Sequence, residues 1–253
     1  MKTNLKDKVV LVSGGSRGVG RAICFAFASE GAHVAVNYLS GRKEAEAVVA
    51  GIMGKYRTRA FAIKADMADE HEVTGMIISV EKELGEIDVL VNNAAYCPSG
   101  PISSYSVEEW ERTFGVNVTG VFVASREVVK LWHNKGKRGN IVNIVSQAAF
   151  RGSTSGHLPY DSSKGAVVSF TIALAREVAK EGIRVNGVAP GLVRTELMAE
   201  ALEKREAQYL SRIPLNRIAE PKEIASVVVF LASDSASYIT GATIDASGGM
   251  IMR

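Results

Sequence analysis

Short apolar runs alternate along the chain with longer segments in which apolar residues recur at helical spacing. The apolar runs predict strands at 9–12, 34–36, 60–63, 89–91, 141–145, 184–188 and 242–244. The helical spacing predicts helices at 18–30, 42–54, 69–84, 107–134, 160–181 and 221–233. The runs are apolar almost throughout, which is typical of parallel strands that are buried on both faces by helices.

This alternation predicts the fold class. Strand and helix follow one another as in an α/β protein, so we expect one doubly wound Rossmann domain over 1–253. Its sheet is expected to be seven-stranded and mostly parallel, with helices on both faces. In such sheets ligands bind beyond the carboxyl ends of the strands. The substrate loops are therefore predicted at about 96–106, 147–159 and 192–215.

Composition narrows the class of protein. The 253 residues are 47% hydrophobic and 23% charged, which suits a globular protein with a large core. Two cysteines, Cys24 and Cys97, cannot build a disulfide framework, and no metal site is predicted. A net charge of +3 with mixed signs predicts no nucleic-acid partner. Without a long apolar stretch or signal-peptide pattern, we expect a cytoplasmic protein that does not span a membrane.

A glycine-rich segment closes the first predicted strand and opens the first helix. Gly14, Gly18 and Gly20 form a GxxxGxG pattern. Glycines permit a tight turn and close approach of the backbone, and the helix N-terminus faces a phosphate. Three glycines alone describe any strand–helix turn, but this position after a buried strand favours a dinucleotide.

The segment after the second strand bears on the choice of dinucleotide. An NAD site usually has Asp or Glu about 20 residues after the glycines, to hold the ribose hydroxyl. Asn37 occupies that position, and residues 37–43 contain no acid but include Ser40, Arg42 and Lys43. Together with Arg17 they favour a 2′-phosphate, so NADP(H) is predicted over NAD(H). The alternative is that Arg42 and Lys43 only solvate the start of a helix.

Tyr160 and Lys164 are the candidate acid–base pair. They lie four residues apart on one face of a predicted helix. A phenol titrates near about 10, and a neighbouring ammonium favours its ionised form. Lowering that pKa by about three units takes about 4 kcal/mol, roughly one unit charge at ~4 Å with an effective dielectric of ~20. Lys164 alone could therefore nearly supply the shift, and an oxidised nicotinamide ring would add to it. An isolated match of this kind also describes two surface residues.

The pair is not isolated. The glycine loop, the segment Asn-Asn-Ala-Ala at 92–95, Asn117, Ser146 and the segment Pro-Gly at 190–191 occur in the order seen in the short-chain dehydrogenase/reductase family. Segments 213–217, 221–225 and 237–241 also match, so the resemblance covers nearly the whole chain. The chain most resembles 3-oxoacyl-(acyl-carrier-protein) reductases of that family.

The resemblance implies roles for four catalytic residues. Tyr160 protonates the carbonyl oxygen while the nicotinamide transfers hydride, and Lys164 tunes Tyr160 and binds the nicotinamide ribose. Ser146 donates a hydrogen bond to the substrate oxygen. Asn117 holds a water molecule that connects Lys164 to solvent.

It also implies the residues around both ligands. Asp66 is expected at the adenine, Asn93 and Ala94 near its ribose, and the 190–195 segment at the nicotinamide amide and phosphates. The cofactor-binding residues are Gly14, Ser16, Arg17, Gly18, Val19, Gly20, Asn37, Tyr38, Ser40, Arg42, Asp66, Met67, Asn93, Ala94, Tyr160, Lys164, Pro190, Gly191, Val193 and Thr195. The substrate residues are Tyr96, Ser146, Gln147, His157, Tyr160, Leu192 and Met198.

Three departures from the family pattern concern the shape of the site. Ala95 replaces a usual Gly, and Ser13 replaces a usual Thr whose hydroxyl braces the turn. The spacing from Ser146 to Tyr160 is one residue longer than usual, which places an extra residue in the loop 147–159. Cys97 is interpreted as a small loop residue without a base partner, and His157 as a solvent-exposed loop histidine.

The substrate remains open between several classes. A 3-oxoacyl thioester on a carrier protein needs a basic rim, for which Lys135, Lys137 and Arg138 are candidates. Glu181 stands where such reductases commonly have a basic residue, so a free small ketone, sugar or quinone ranks equally. An enoyl-thioester reductase and a non-catalytic NADP(H)-binding regulator are weaker alternatives. The resemblance further implies a homotetramer paired through the helices near 107–134 and 160–181 and through the C-terminal strand.

Overall fold

A computed structural model describes residues 3–153 and 156–252. Within them seven strands form one sheet, and every neighbouring pair of strands is parallel. The strands are β1 (Val9–Val12), β2 (His33–Tyr38), β3 (Ala60–Lys64), β4 (Ile87–Asn92), β5 (Asn140–Ile144), β6 (Arg184–Pro190) and β7 (Thr243–Ala246). Their order, β3-β2-β1-β4-β5-β6-β7, confirms the predicted doubly wound α/β fold.

Helices connect the strands and cover the sheet. They are α1 (Gly18–Ser29), α2 (Arg42–Tyr56), α3 (Glu70–Leu84), α4 (Val107–Phe114), α5 (Gly120–Lys135), α6 (Ala148–Arg151), α7 (Leu158–Val178), α8 (Ala199–Leu210) and α9 (Pro221–Ala232). Short 3-10 turns occur at Ile102–Ser104, Ala179–Glu181, Glu196–Met198 and Asp234–Ala236. The six predicted helices are all present, with ends shifted by a few residues.

The structure differs from the predicted elements in a helix and in a loop. The segment predicted as one helix over 107–134 is interrupted by a π-helical turn at Gly115–Thr119. The predicted loop 192–215 contains α8, so the interpretation of that whole range as a loop is wrong. Helix α8 is rich in Ala, Glu, Lys and Leu, which favour helix, and a kink at Arg205 interrupts it.

Side chains of β1 illustrate how the sheet is buried. Val10 and Val12 pack into an apolar cluster with Phe27 of α1, on one face. Leu11 packs into a second cluster with Trp132 of α5, on the other face. Successive strand residues point to opposite faces, so a run of apolar residues is needed to fill both clusters. This explains why the strands could be read from continuous apolar runs.

The carboxyl ends of the strands bring the predicted site residues to one edge. The glycine loop follows β1, Asn93 follows β4, Ser146 follows β5 and Gly191 follows β6. In the described part of the chain, no helix is both long enough and apolar enough to cross a membrane.

Candidate active site

The glycine loop forms a cradle in which side chains do not fit. Gly14 and Gly18 have φ angles of +62° and +53°, in the left-handed region that favours glycine. A Cβ on Gly14 would lie 2.9 Å from the Cα of Ala94, and one on Gly20 would collide with the Gly14 carbonyl. The cradle lies at the N-terminus of α1, where backbone amides and the helix dipole favour an anion. The residues present therefore fit the pyrophosphate of a dinucleotide.

Ser13 and Asn93 brace this loop against β4. The Ser13 hydroxyl accepts hydrogen bonds from the backbone amides of Asn93 at 2.9 Å and Ala94 at 3.0 Å. The Asn93 side chain donates to the carbonyl oxygens of Ser13 at 2.9 Å and Gly14 at 3.1 Å. Serine thus performs the bracing expected of either hydroxyl residue. The amide of Asn93 is used to hold the loop, rather than being free to contact a ribose.

A cleft of about 240 Å³ extends from the glycine loop across the ends of β2, β3 and β4. Most of the predicted residues for the adenosine half of the cofactor line it. They are Gly14, Ser16, Arg17, Asn37, Tyr38, Ser40, Asp66, Met67 and Ala94. Leu39, Ala65, Ala95, Tyr96, Arg112 and Val116 complete the lining.

Asn37 is buried at the floor of this cleft. Its Oδ1 accepts from the amide of Gly14 at 3.1 Å, and its Nδ2 donates to the carbonyl of Ala65 at 3.1 Å. Both polar atoms therefore hold backbone in place. Arg17 lines the cleft, whereas Arg42 forms an exposed ion pair with Glu46 at 2.7 Å and does not line it. The structure brings Arg17 and Ser40 together at the cleft and leaves Arg42 outside.

Arg112 is a cleft residue that the sequence analysis missed. Its guanidinium donates to Asp66 Oδ2 at 2.9 Å. Burial raises the pKa of the Asp66 carboxyl, but the hydrogen bond and charge of Arg112 together with the backbone amide of Ala68 outweigh burial, so the pKa lies below its usual value. Arg112 comes from the amphipathic helix α4, and nothing in its local sequence distinguishes it from a solvated surface residue.

The segment after β6 lies over the phosphate end of the cradle. A Cβ on Gly18 would lie 3.4 Å from the Thr195 side chain, and Arg21 of α1 forms an ion pair with Glu196 at 2.7 Å. Val193 pairs with Ala219 in a short parallel bridge. The predicted substrate residues Leu192 and Met198 pack against a separate apolar cluster. Its buried members are Leu202, Ile213, Ile218 and Met250.

Tyr160, Ser146 and Lys164 meet at the carboxyl end of β5. Tyr160 lies in the first turn of α7, and its phenol is close enough to Ser146 for the serine side chain to lower the pKa of the phenol. Lys164 is buried, and its Nζ lies 5.6 Å from the centre of the Tyr160 ring and donates to the Ile144 carbonyl at 2.7 Å. The predicted helical spacing thus places both side chains on one face, beside the serine.

The pKa values of Tyr160 and Lys164 differ from the expectation. Burial raises the pKa of Tyr160 above its usual value, Cys97 adds to the rise, and the hydrogen bond from Ser146 opposes it. Burial also lowers the pKa of Lys164 to about 8. The expectation that Lys164 alone nearly supplies the required shift of Tyr160 is therefore wrong for the protein by itself. Its ammonium is desolvated by the same burial, so less positive charge is available to stabilise a phenolate.

Asn117 lies in the π-helical turn and is fully buried. Its Oδ1 accepts from the amide of Tyr96 at 2.8 Å, and its Nδ2 donates to the Tyr96 carbonyl at 2.9 Å and to Ser163 Oγ at 2.9 Å. The side chain therefore ties the loop after β4 to α7. Ser163, which the sequence analysis did not single out, lies within the Tyr160–Lys164 segment.

Cys97 and His157 are in contact, which the sequence analysis did not anticipate. His157 Nδ1 lies 3.7 Å from Cys97 Sγ and 2.8 Å from the carbonyl oxygen of Pro98. The interpretation of His157 as a free, solvent-exposed residue is wrong, since its ring is half-buried and bonded. The carbonyl requires a hydrogen on Nδ1, so that nitrogen cannot take the thiol proton. Burial raises the pKa of Cys97 to about 11, which also argues against a nucleophile.

Gln147 is buried directly after Ser146. Its backbone amide donates to the Pro190 carbonyl at 2.9 Å, which joins the ends of β5 and β6. Its Oε1 is buried without a hydrogen-bond partner among the described residues. An unpaired acceptor at this point of the site fits a ligand that brings a donor.

The proposed basic rim lies elsewhere. Lys135 and Lys137 come just before β5, at the amino edge of the sheet, opposite Ser146 in the same chain. Lys135 pairs with Glu81 at 2.8 Å, and Lys137 pairs with Asp88 at 3.1 Å. These lysines are neutralised by acids, so within one chain they do not form a basic rim at the site. Within residues 3–153 and 156–252, no cluster of three or more metal-ligating side chains occurs.

Known proteins resemble this chain over nearly its whole length. A family described as Enoyl-(Acyl carrier protein) reductase matches residues 14–251. A 3-oxoacyl-(acyl-carrier-protein) reductase of Staphylococcus epidermidis is 40% identical over 97% of this chain and 100% of its own length. A 3-oxoacyl-(acyl-carrier-protein) reductase of Synechocystis is 40% identical over 99% of each chain.

Two solved structures share the fold of this chain. A blue fluorescent protein from a metagenomic library, crystallised in complex with NADPH, is 36% identical and superposes with a TM-score of 0.91 over 98% of this chain and all of its own. A short-chain dehydrogenase/reductase described as a glucose/ribitol dehydrogenase, from Brucella melitensis, is 34% identical with a TM-score of 0.91 over the full length of both chains. The chain belongs to the short-chain dehydrogenase/reductase family of nicotinamide-dependent oxidoreductases.

Proposed function

We propose that this protein reduces a ketone to a secondary alcohol with NADPH, and that its substrate is a 3-oxoacyl thioester. The observation that carries the proposal is the Tyr160 phenol, which lies near Ser146 and has its ring centre 5.6 Å from Nζ of the buried Lys164. This group stands at the same edge of the sheet as the glycine cradle. A proton donor and a dinucleotide site at one edge suit hydride transfer to a carbonyl.

The reaction needs little from the protein beyond position and a proton. NADPH bound by the glycine cradle would supply the hydride for the carbonyl carbon, so that with one proton the C=O π bond is replaced by a C–H and an O–H bond. Tyr160 donates the proton to the oxygen, and Ser146 stabilises the negative charge that develops there. Solvent then returns a proton to Tyr160.

The preference for NADP(H) rests on charge in the adenosine cleft. Arg17 and Ser40 line it close to Asn37, where an NAD enzyme would have an acid. A guanidinium and a hydroxyl suit a 2′-phosphate, and the carboxylate of Asp66, the one acid among the described lining residues, is paired with Arg112. The solved neighbour that holds NADPH supports the same assignment. Arg42 is not needed for this argument.

The substrate class is supported by the names of the relatives. Two reductases that match nearly the whole chain at 40% identity act, by name, on 3-oxoacyl groups of a carrier protein. The paired state of Lys135 and Lys137 gives no support from this single chain for a carrier-protein docking surface. We therefore propose the 3-oxoacyl thioester as the unit recognised, with a free small ketone as the competing candidate.

The test is a substrate screen that follows oxidation of NADPH. Acetoacetyl-CoA, a 3-oxoacyl carrier-protein thioester, small ketones, a quinone and a keto-sugar serve as substrates, and crotonyl-CoA tests enoyl reduction. We expect reduction of acetoacetyl-CoA, and loss of activity in Tyr160→Phe with NADPH binding unchanged. Full activity of Tyr160→Phe contradicts the mechanism. Tight NADPH binding without turnover of any compound supports the non-catalytic regulator instead.

We further propose that the protein assembles as a homotetramer. Trp110 stacks on Phe114 with ring centres 4.6 Å apart, and Trp110 and Phe122 of the same helical pair are 37% and 45% exposed. Exposed aromatic residues on neighbouring helices are typical of an interface. Light scattering coupled to size-exclusion chromatography checks the mass, and a monomeric mass rejects the proposal.

A further inference from the structure

The far end of the adenosine cleft can be located from its other end. The glycine cradle at the start of α1 fits a pyrophosphate, and Asn37 at the end of β2 stands where a dinucleotide site meets the ribose. The cleft continues past these residues to the end of β3, where Asp66, Met67 and Arg112 line it. The base of a dinucleotide that lies along the cleft therefore reaches Asp66 and Arg112.

Asp66 is held firmly at this place. Its Oδ1 accepts from the amide of Ala68 at 2.9 Å, and its own backbone amide donates to Glu72 Oε2 at 2.7 Å. The side chain of Asn37 donates to the carbonyl of Ala65, the residue before Asp66, at 3.1 Å. The protein itself therefore fixes both the backbone and the carboxylate, and a pre-organised group of this kind suits recognition of a ligand.

Arg112 reaches Asp66 because the helical pair α4–α5 packs closely on the same segment. A Cβ on Gly120, the first residue of α5, would collide with the carbonyl of Met67. This close approach places α4 beside the end of β3, where Arg112 Nη1 donates to Asp66 Oδ2 at 2.9 Å. Backbone packing thus sets the position of Arg112 in the cleft.

The ion pair presents acceptors and donors side by side. A carboxylate oxygen can accept two hydrogen bonds, so both oxygens of Asp66 keep an acceptor position. The guanidinium of Arg112 has five N–H donors, and its bond to Asp66 is the one hydrogen bond that it makes within the described part of the chain. The two charges compensate each other. The pair therefore suits an uncharged group that has a donor next to an acceptor, rather than a phosphate.

An adenine ring carries this pattern, since its amino group N6 is a donor and a ring nitrogen beside it is an acceptor. We propose that Arg112 is a specificity-determining residue for the base of the cofactor, which donates to a ring nitrogen of adenine while Asp66 accepts from N6. Hypoxanthine has a carbonyl oxygen in place of the amino group. That oxygen would face the Asp66 carboxylate, so the two hydrogen bonds could not form together. The inference rests on the cofactor site of the proposed function and not on its substrate.

The test compares NADPH with the reduced form of nicotinamide hypoxanthine dinucleotide phosphate, which differs from NADPH at the base alone. Fluorescence titration gives the dissociation constant of each cofactor for the wild type, Arg112→Met and Arg112→Lys. Arg126→Met is the matched control, since Arg126 belongs to the same helical pair and forms an ion pair with Glu70 at 2.7 Å, outside the cleft. Urea unfolding checks that each variant is folded.

Each protein has its own expected result. The wild type should bind NADPH at least about tenfold more tightly than the hypoxanthine cofactor. Arg112→Met should reduce that ratio about threefold to tenfold, mainly by weakening NADPH, because the donor to the ring nitrogen is lost. Arg112→Lys keeps a donor and a positive charge but not the fork of the guanidinium, so its ratio should lie between those of Arg112→Met and the wild type. Arg126→Met should match the wild type.

A structural role of Arg112, or one that only neutralises Asp66, gives a different result. Arg112→Met would then weaken both cofactors by the same factor, or neither, and either outcome overturns the inference. A wild type that binds both cofactors equally overturns it as well. Because binding is measured without substrate, failure of the protein to reduce any ketone would reject the proposed function while the ratio of dissociation constants still decides the role of Arg112.

Discussion

The side chain of Asn37 accepts a hydrogen bond from the backbone amide of Gly14 at 3.1 Å, so the end of β2 directly holds the first glycine of the cofactor cradle. The same side chain donates to the carbonyl of Ala65 after β3. One buried amide therefore joins three loops at the carboxyl edge of the sheet. Asn37, at the position where an acid would indicate NAD, therefore holds neighbouring backbone in place.

Asn37→Ala should destabilise the protein by about 1–3 kcal/mol, because backbone groups at Gly14 and Ala65 lose their partners in a buried place. Urea unfolding of the protein without cofactor measures the change. NADPH affinity should fall as well, since the cradle loses a support. Wild-type stability together with wild-type NADPH affinity contradicts the role given to Asn37.

Arg17 and Arg42 should differ in their effect on cofactor choice. Arg17 lines the adenosine cleft, and Arg42 is paired with Glu46 on the surface. Arg17→Gln should lower kcat/KM for NADPH about tenfold or more and leave NADH nearly unchanged. Arg42→Gln should change either value less than about threefold. The reverse order of effects shows that the 2′-phosphate is held by Arg42.

Lys164→Met should separate activity from stability. Burial lowers the pKa of Lys164 from 10.5 to about 8, so the folded protein binds this proton less tightly than the unfolded chain. Below pH 8 the buried charge costs about 3 kcal/mol, and this cost is relieved as pH rises from about 8 to about 10.5.

Methionine removes the charge but leaves the Ile144 carbonyl unpaired. At pH 7 we therefore expect the unfolding free energy of Lys164→Met to lie within about 1 kcal/mol of the wild-type value, or above it. The rate of reduction should fall at least about a hundredfold. Denaturant unfolding at several pH values checks this, with Lys180→Met as the exposed control. A variant that is much less stable at pH 7 shows that the Lys164 hydrogen bond outweighs its desolvation.

Two glycine substitutions should have opposite effects. A Cβ on Gly20 collides with the Gly14 carbonyl, whereas one on Gly75 in α3 meets nothing within 4 Å. Gly20→Ala should abolish measurable NADPH binding and lower the unfolding free energy by about 1–3 kcal/mol. Gly75→Ala should raise it by about 0.5–1 kcal/mol, because alanine favours helix. Cofactor fluorescence titration and thermal unfolding check both, and tight NADPH binding by Gly20→Ala rejects the cradle.

The strands were predictable because burial on both faces leaves a continuous apolar run, as in Val10, Leu11 and Val12. Helix α8 was missed because the kink at Arg205 interrupts its helical spacing. The π-helical turn is fixed by contacts of Asn117 with Tyr96 and Ser163, which come from other parts of the chain. Patterns read along one segment contain no such information.

Within the site, residue types could be predicted more readily than their contacts. The motif order placed Tyr160, Ser146 and Lys164 together, since helix spacing and strand ends fix their positions. The orientation of Arg42 depends on the nearby Glu46, a pairing that the motif does not encode. The hydrogen bond from the Ser153 amide to Asp161 joins residues eight positions apart. The spacing of residues along the chain does not specify such a contact.

The π-helical turn at Gly115–Thr119 fixes the rotational phase of the helical pair α4–α5. Each residue of an α-helix advances its side chain by about 100°. Deleting one residue from this turn would therefore rotate Trp110 and Arg112 by about 100° relative to Asn117. If Asn117 kept its hydrogen bond to Tyr96, Trp110 could not keep its present position together with the ion pair between Arg112 and Asp66. Single-residue insertions and deletions should thus be tolerated far less here than in surface loops.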